Sequence, residues 1–80
     1  MEYKSQRELY LNLIPALNVK IKLLRRNNYK DITREDIWGY LSSKKWPYSV
    51  DLTLADMVND IIHTDNLEIN NYKVRNEENI

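Results

Sequence analysis

ITREDIWGYLSSKKWPYSVDLTLADMVNDII, residues 32–62, uses one helix-starting device twice, 20 positions apart. In the first copy Thr33 precedes Asp36 by three residues, with Ile32 and Ile37 on either side; in the second, Thr53, Asp56, Leu52 and Met57 fill the same places. A hydroxyl just ahead of a helix accepts a hydrogen bond from an unpaired N–H of the first turn. An acid three residues on can answer the cap's own N–H, and the flanking apolar pair staples the entering chain to the helix. The spacing predicts a helix from Arg34 to about Lys44 and a second from Leu54 to about His63. Pro47 cannot continue a helix and biases Trp46 toward an extended conformation. Trp46-Pro47-Tyr48-Ser49 therefore reads as the connecting loop.

Working outward, Ile37, Trp38, Tyr40 and Leu41 supply the buried face of the first of these helices. Leu54, Met57, Val58, Ile61 and Ile62 supply that of the second. Gly39 costs roughly 1 kcal/mol against alanine inside a helix, so it marks either a close approach by another helix or a weak spot. Upstream, Leu9, Leu13, Ala16, Leu17, Ile21 and Leu24 recur at helical steps of three and four. Ser5-x-x-Glu8 is a further capping box and predicts a start near Gln6. Pro15 interrupts the stripe. Either the helix kinks there, or one helix ends near Leu13 and a second begins with Pro15 in its first turn, where proline is tolerated; the second reading is favoured. The polar run Asn27-Asn28-Tyr29-Lys30-Asp31 reads as a turn. Downstream, Thr64-Asp65-Asn66 ends the last helix. Leu67-Glu68-Ile69 alternates like a strand, but three residues without a partner cannot hold a sheet. Tyr72 and Val74 are candidates to dock back, and the chain from Arg75 reads as frayed. The expected fold is all-α, a small domain of three to four helices over residues 1–72, with a short irregular tail, residues 73–80.

An 80-residue chain buries only about 60% of its unfolded surface, so one small core is all it can build. Its apolar runs are too short to span a membrane, and MEYKSQRELY has no apolar signal core. Cysteine is absent, which removes disulfides and thiolate ligands and suits a reducing, cytoplasmic setting. The lone histidine, His63, stands at a predicted helix end, where complementing the helix dipole is the simpler role. Asp56 and Asp60 are spaced as paired carboxylates, but Asp56 already has a capping role. One glycine cannot make a phosphate-cradling loop. No catalytic residue, metal site or cofactor is expected, and the chain reads as a binding module rather than an enzyme.

The net charge of zero conceals a split: residues 1–48 hold ten Lys or Arg against five Asp or Glu, and residues 49–80 hold two against seven. Lys20, Lys22, Arg25 and Arg26 crowd the end of the first stripe, where cations complement a helix C-terminus. Together with Lys30, Lys44 and Lys45, and with Trp46 and Tyr48 nearby, they form a candidate surface for single-stranded RNA, which is held by charge on phosphate and by ring faces on bases. The competing reading has Trp46 closing the core and the lysines merely solvated. A helix-turn-helix is disfavoured. Its connection, Lys45 to Leu52, is long, and an acidic second helix (Asp56, Asp60) reads a polyanion poorly. Exposed aromatics leave a homodimer open.

DITREDIWGYLSSKKW followed by LADMVNDII resembles the ComN family of small post-transcriptional regulators of Firmicutes. The matching positions are Pro15-Ala16-Leu17, then Asp36-Ile37-Trp38 with Leu41, then Lys45-Trp46, then Val58-Asn59-Asp60-Ile61 and a tyrosine beyond, Tyr72. The end of the chain departs from that pattern. The resemblance implies a cytoplasmic, non-catalytic protein acting after transcription on messages for DNA uptake. It would act on mRNA directly or through a protein partner at the cell pole. It carries over no catalytic residues. Asn59 and Asp60, polar neighbours on an otherwise buried helix, are a candidate partner surface, or else bond back to the Trp46 loop.

Overall fold

Both Thr-x-x-Asp signals start helices where their spacing places them. In the computed structural model, which describes residues 6–78, α2 spans Arg34–Lys44 and α3 spans Leu54–His63. The Thr33 hydroxyl accepts from the Asp36 N–H at 3.3 Å, and the Asp36 carboxylate accepts from the Thr33 N–H at 2.8 Å. Thr53 and Asp56 repeat the exchange at 3.1 Å in each direction. Bonds from Thr53, its backbone N–H foremost, hold the Asp56 carboxyl below its ordinary pKa. The first staple is buried on both sides, at Ile32 and Ile37. Between the helices, Trp46–Tyr48 is not extended but forms one 3-10 turn with Pro47 inside it. Proline's fixed φ suits a first helical turn, which outweighs the extended bias it places on its neighbour.

The first stripe is a single helix, α1, Gln6–Arg26, running through Pro15. The favoured split at Leu13 is therefore corrected. Proline at this position removes one backbone bond, to the carbonyl of Leu11. Pro15 and Leu11 are both exposed, so water can take that carbonyl and the helix continues. Ser5, the expected cap, lies outside the described residues. At its other end α1 closes in a Schellman motif. The Tyr29 N–H reaches the Leu24 carbonyl at 2.8 Å and the Asn28 N–H reaches that of Arg25 at 3.1 Å, with Asn28 at φ 70°. Asparagine is the non-glycine residue that best tolerates this left-handed position.

The segment expected to alternate like a strand is a fourth helix, α4, Asn66–Glu78. Asp65 caps it, its Oδ1 accepting from the Leu67 N–H at 2.8 Å. Ile69 is fully buried, and Tyr72 and Lys73 follow on the same helical face. Lys73 pairs with the Asp36 carboxylate at 3.1 Å. The frayed tail expected from residue 73 is thus helical through Glu78, and residues 79 and 80 lie outside the described part.

The four helices bury one core: Leu13, Ala16, Leu17 and Leu24 of α1, Ile32, Ile37 and Leu41, Ile61 of α3 and Ile69 of α4. Among the described residues there is no strand, and no helix is long and apolar enough to cross a membrane. Helix α1 packs on α2 and α3, and α4 on α2. Because Glu68 meets Tyr40 and Lys73 meets Asp36, α4 runs antiparallel to α2. Gly39 makes room for the Tyr72 side chain: a Cβ there would stand 3.2 Å from the Tyr72 hydroxyl oxygen.

Candidate nucleic-acid interface

The structure disperses the basic set. Lys20 does not face solvent. It is 4% exposed, and its ammonium donates to the carbonyls of Ile62 and Thr64 at 3.1 and 2.6 Å. These are the last carbonyls of α3, which have no partner within their own helix. Burial lowers the Lys20 pKa, and the charge of Asp65 opposes that shift. Lys20 is therefore removed from the candidate surface and becomes a cap for α3.

Trp46 is not a free stacking platform either. Its ring packs edge-on against Trp38, centroids 5.4 Å apart, and Trp38 packs likewise on Tyr10 at 5.1 Å. Its indole N–H donates to the Asp60 carboxylate at 3.1 Å, and Lys45 pairs with the other oxygen of Asp60 at 3.0 Å. The Asp60 side chain is only 15% exposed. Of the two roles open to Asp60, the bond back to the Trp46 loop is the one observed, so Asp60 is withdrawn from the partner surface. Asn59, its neighbour, is exposed, as are Lys44 and Tyr48. Tyr48 stands 81% exposed and Val50 85%, on a connection where Asp51 takes φ 54°. His63 is exposed at the end of α3, and no group of three metal-binding side chains occurs among the described residues.

Lys22 and Arg25 do come together with other cations. They face Lys30 and Arg34 across a groove of about 610 Å³ between the second half of α1 and the start of α2. Two acids, Asp31 and Glu35, line the same groove, and Arg34 reaches Asn18 at 3.5 Å. Arg26, next to Arg25, is exposed outside it. Lys44 and Lys45 lie at the opposite end of α2, about 15 Å along the helix axis, so the basic set is two clusters. Arg34 was missed in the sequence because a cation at a helix start offers no dipole benefit and reads as simple solvation.

A second groove, about 490 Å³, lies between α2 and α4 and is lined by Tyr40, Lys44, Glu68, Asn71, Tyr72, Arg75 and Asn76. Sequence reasoning included only Lys44 in the candidate surface, because the others sit in what read as a tail or as core. Tyr40 donates to Glu68 at 2.7 Å and meets Tyr72 edge-on at 5.8 Å. The bond to Glu68, then burial and the nearby negative charges, push the Tyr40 pKa up to about 12. An unfolded chain releases this proton near the ordinary value of about 10. Between those values the native chain holds more protons, so stability falls as pH rises. Urea midpoints measured at pH 9.5 and 11.5 should drop less for Tyr40→Phe than for the unaltered chain. Equal drops would mean that Tyr40 takes no part.

The sequence model of one family, described as post-transcriptional regulator, matches residues 6–75. The chain is also similar to the post-transcriptional regulator ComN of Bacillus subtilis (strain 168). The two are 30% identical over 70 residues, which cover 86% of this chain and 71% of that protein. No solved structure matches the chain.

Proposed function

Since the chain belongs to the family of post-transcriptional regulators, we propose that it acts on messenger RNA in the cytoplasm without catalysis, holding the phosphate backbone in the groove between α1 and α2. Messages for DNA uptake are the targets that the resemblance favours. The observation that carries this reading is the set Lys22, Arg25, Lys30 and Arg34 around one groove, none of them bonded to a carboxylate among the described residues. Cations so placed release counterions when phosphates replace them, at a salt slope of about −0.7 per phosphate on single strands. On single-stranded RNA from a target message these four contacts should therefore contribute about −2.8 to the slope. Reversing charge in Lys22→Glu with Arg25→Glu should flatten that slope by about 1.4 and leave the fold intact. A slope that the double variant does not change would sink the assignment of this groove.

A second reading, a protein adaptor, is supported by Tyr48 and Val50. Both are more than four-fifths exposed on one short connection, and tyrosine is a frequent anchor of protein interfaces. Tyr48→Ser with Val50→Ser should then leave RNA affinity unchanged and release the partner. RNA affinity lost in that variant would assign the connection to RNA instead.

A further inference from the structure

We propose that the groove between α2 and α4 holds one unstacked nucleotide of single-stranded RNA, its base against the tyrosines and its flanking phosphates on Lys44 and Arg75. The inference rests on the RNA reading above, but it concerns a different face and different residues. Single-stranded RNA is read by splaying a base onto an aromatic ring and bonding its polar edges, with cations on the phosphates either side. Each of these parts is present. Tyr40 and Tyr72 are both half-buried, which fixes their rings while leaving part of each accessible. They meet edge-on at 77°, so a base stacked on one ring would stand edge-on to the other.

The polar groups suit a base rather than a second phosphate. Tyr40 engages one oxygen of Glu68, Oε2; a carboxylate there accepts from the amino edge of a base and repels an anion. Asn71 and Asn76, also on the wall, each carry both a donor and an acceptor. The cations bracket this centre. Because α4 is antiparallel to α2, Lys44 in the last turn of α2 and Arg75 near the end of α4 lie toward opposite ends of the groove. Neither has a carboxylate partner among the described residues. The volume, about 490 Å³, falls within the range of roughly 300–1,000 Å³ typical of small-ligand pockets. A nonpolar peptide helix, by contrast, would meet a carboxylate, two amides and two cations.

Gly39 is what allows the wall to form. It lets the Tyr72 ring lie against the α2 backbone. The resulting groove separates base reading from the backbone grip on the α1 side, so one chain can combine affinity from one face with selectivity from another.

The test uses the full chain, fluorescein-labelled single-stranded RNA of each homopolymer and of a mixed sequence, and two variants. Tyr72→Leu removes a stacking ring while keeping an apolar side chain against Gly39. Arg75→Gln leaves the buried contacts untouched and serves as the readout should Tyr72→Leu loosen α4, which circular dichroism would reveal. Tyr72→Leu should weaken binding roughly 5- to 150-fold, the span measured for loss of one base-stacking ring, and should level the differences among the homopolymers. Arg75→Gln should reduce the salt slope by about 0.7. Photocrosslinking from 4-thiouridine should map to α4. If both variants bind as the unaltered chain does while the Lys22 and Arg25 reversal still flattens the slope, this groove is not the base site and the backbone reading stands. If the unaltered chain binds no RNA, both fall. If the variants lose a protein partner but not RNA, the groove belongs to that partner and the proposal is overturned.

Discussion

Trp38→Ala should cost about 3–5 kcal/mol, the range for truncating a core tryptophan. Half-burial alone would place this residue low in that range. Two further contacts raise it: the edge-on packing of Trp38 against Tyr10 on α1 and against Trp46 in the 3-10 turn, each worth about 0.5–1.5 kcal/mol beyond area. An 80-residue domain has roughly 4–12 kcal/mol to lose. The indirect effect runs through Trp46, whose position sets the bond to Asp60 and hence the join between the turn and α3. The check is a urea titration followed by circular dichroism, with Trp38→Phe keeping a ring in place and retaining most of the midpoint. A loss below about 1 kcal/mol for the alanine variant would show that the three-ring stack is not what ties α1, α2 and the turn together.

That stack was only partly legible in the sequence, and the reasons are physical. The caps could be read because Thr-x-x-Asp with flanking apolar residues has a local cause: everything it needs lies within six positions. The α2 and α3 boundaries followed from it, and the Schellman turn lay where the asparagines stood. Helix α4 could not be read from periodicity, because only Ile69 of its apolar residues is fully buried; Leu67 and Val74 face outward and Lys73 takes a core-facing place. The signal that could have found it was Asp65-x-x-Glu68, the same spacing a fourth time, hidden because Thr64-Asp65-Asn66 also reads as a stop. Pro15 was over-weighted because its cost depends on whether the orphaned carbonyl reaches water, which sequence alone does not say. The two grooves were the least legible. Each is made by residues from two helices, and Lys22 and Arg25 meet Arg34 only because α2 folds back along α1.

Lys20 carries the sharpest contrast, because it sits in the apolar stripe rather than beside it: Leu13, Leu17, Lys20 and Leu24 follow one another at steps of four, three and four. A cation in that register has a buried task, and here it is to satisfy the carbonyls of Ile62 and Thr64. Lys20→Met keeps the length and removes the donor. Two charge-assisted bonds at about 1.5–3 kcal/mol each are lost, but the desolvation of the ammonium is relieved as well, so the net loss should be near 2–3 kcal/mol. Lys22→Met, two residues away and exposed, should stay within about 0.5 kcal/mol. The pH dependence separates two causes. A helix C-terminus favours a cation and would raise the pKa; burial lowers it, and the lowered value is what this site has. An unfolded chain therefore holds more protons than the native one just below the ordinary lysine value of about 10.4. In that window the contribution of Lys20 rises with pH. The stability gap between the unaltered chain and Lys20→Met should widen from pH 8 toward pH 10 in paired urea titrations. A gap that narrows over that interval would mean that the attraction of the α3 terminus for the ammonium outweighs the cost of burying it.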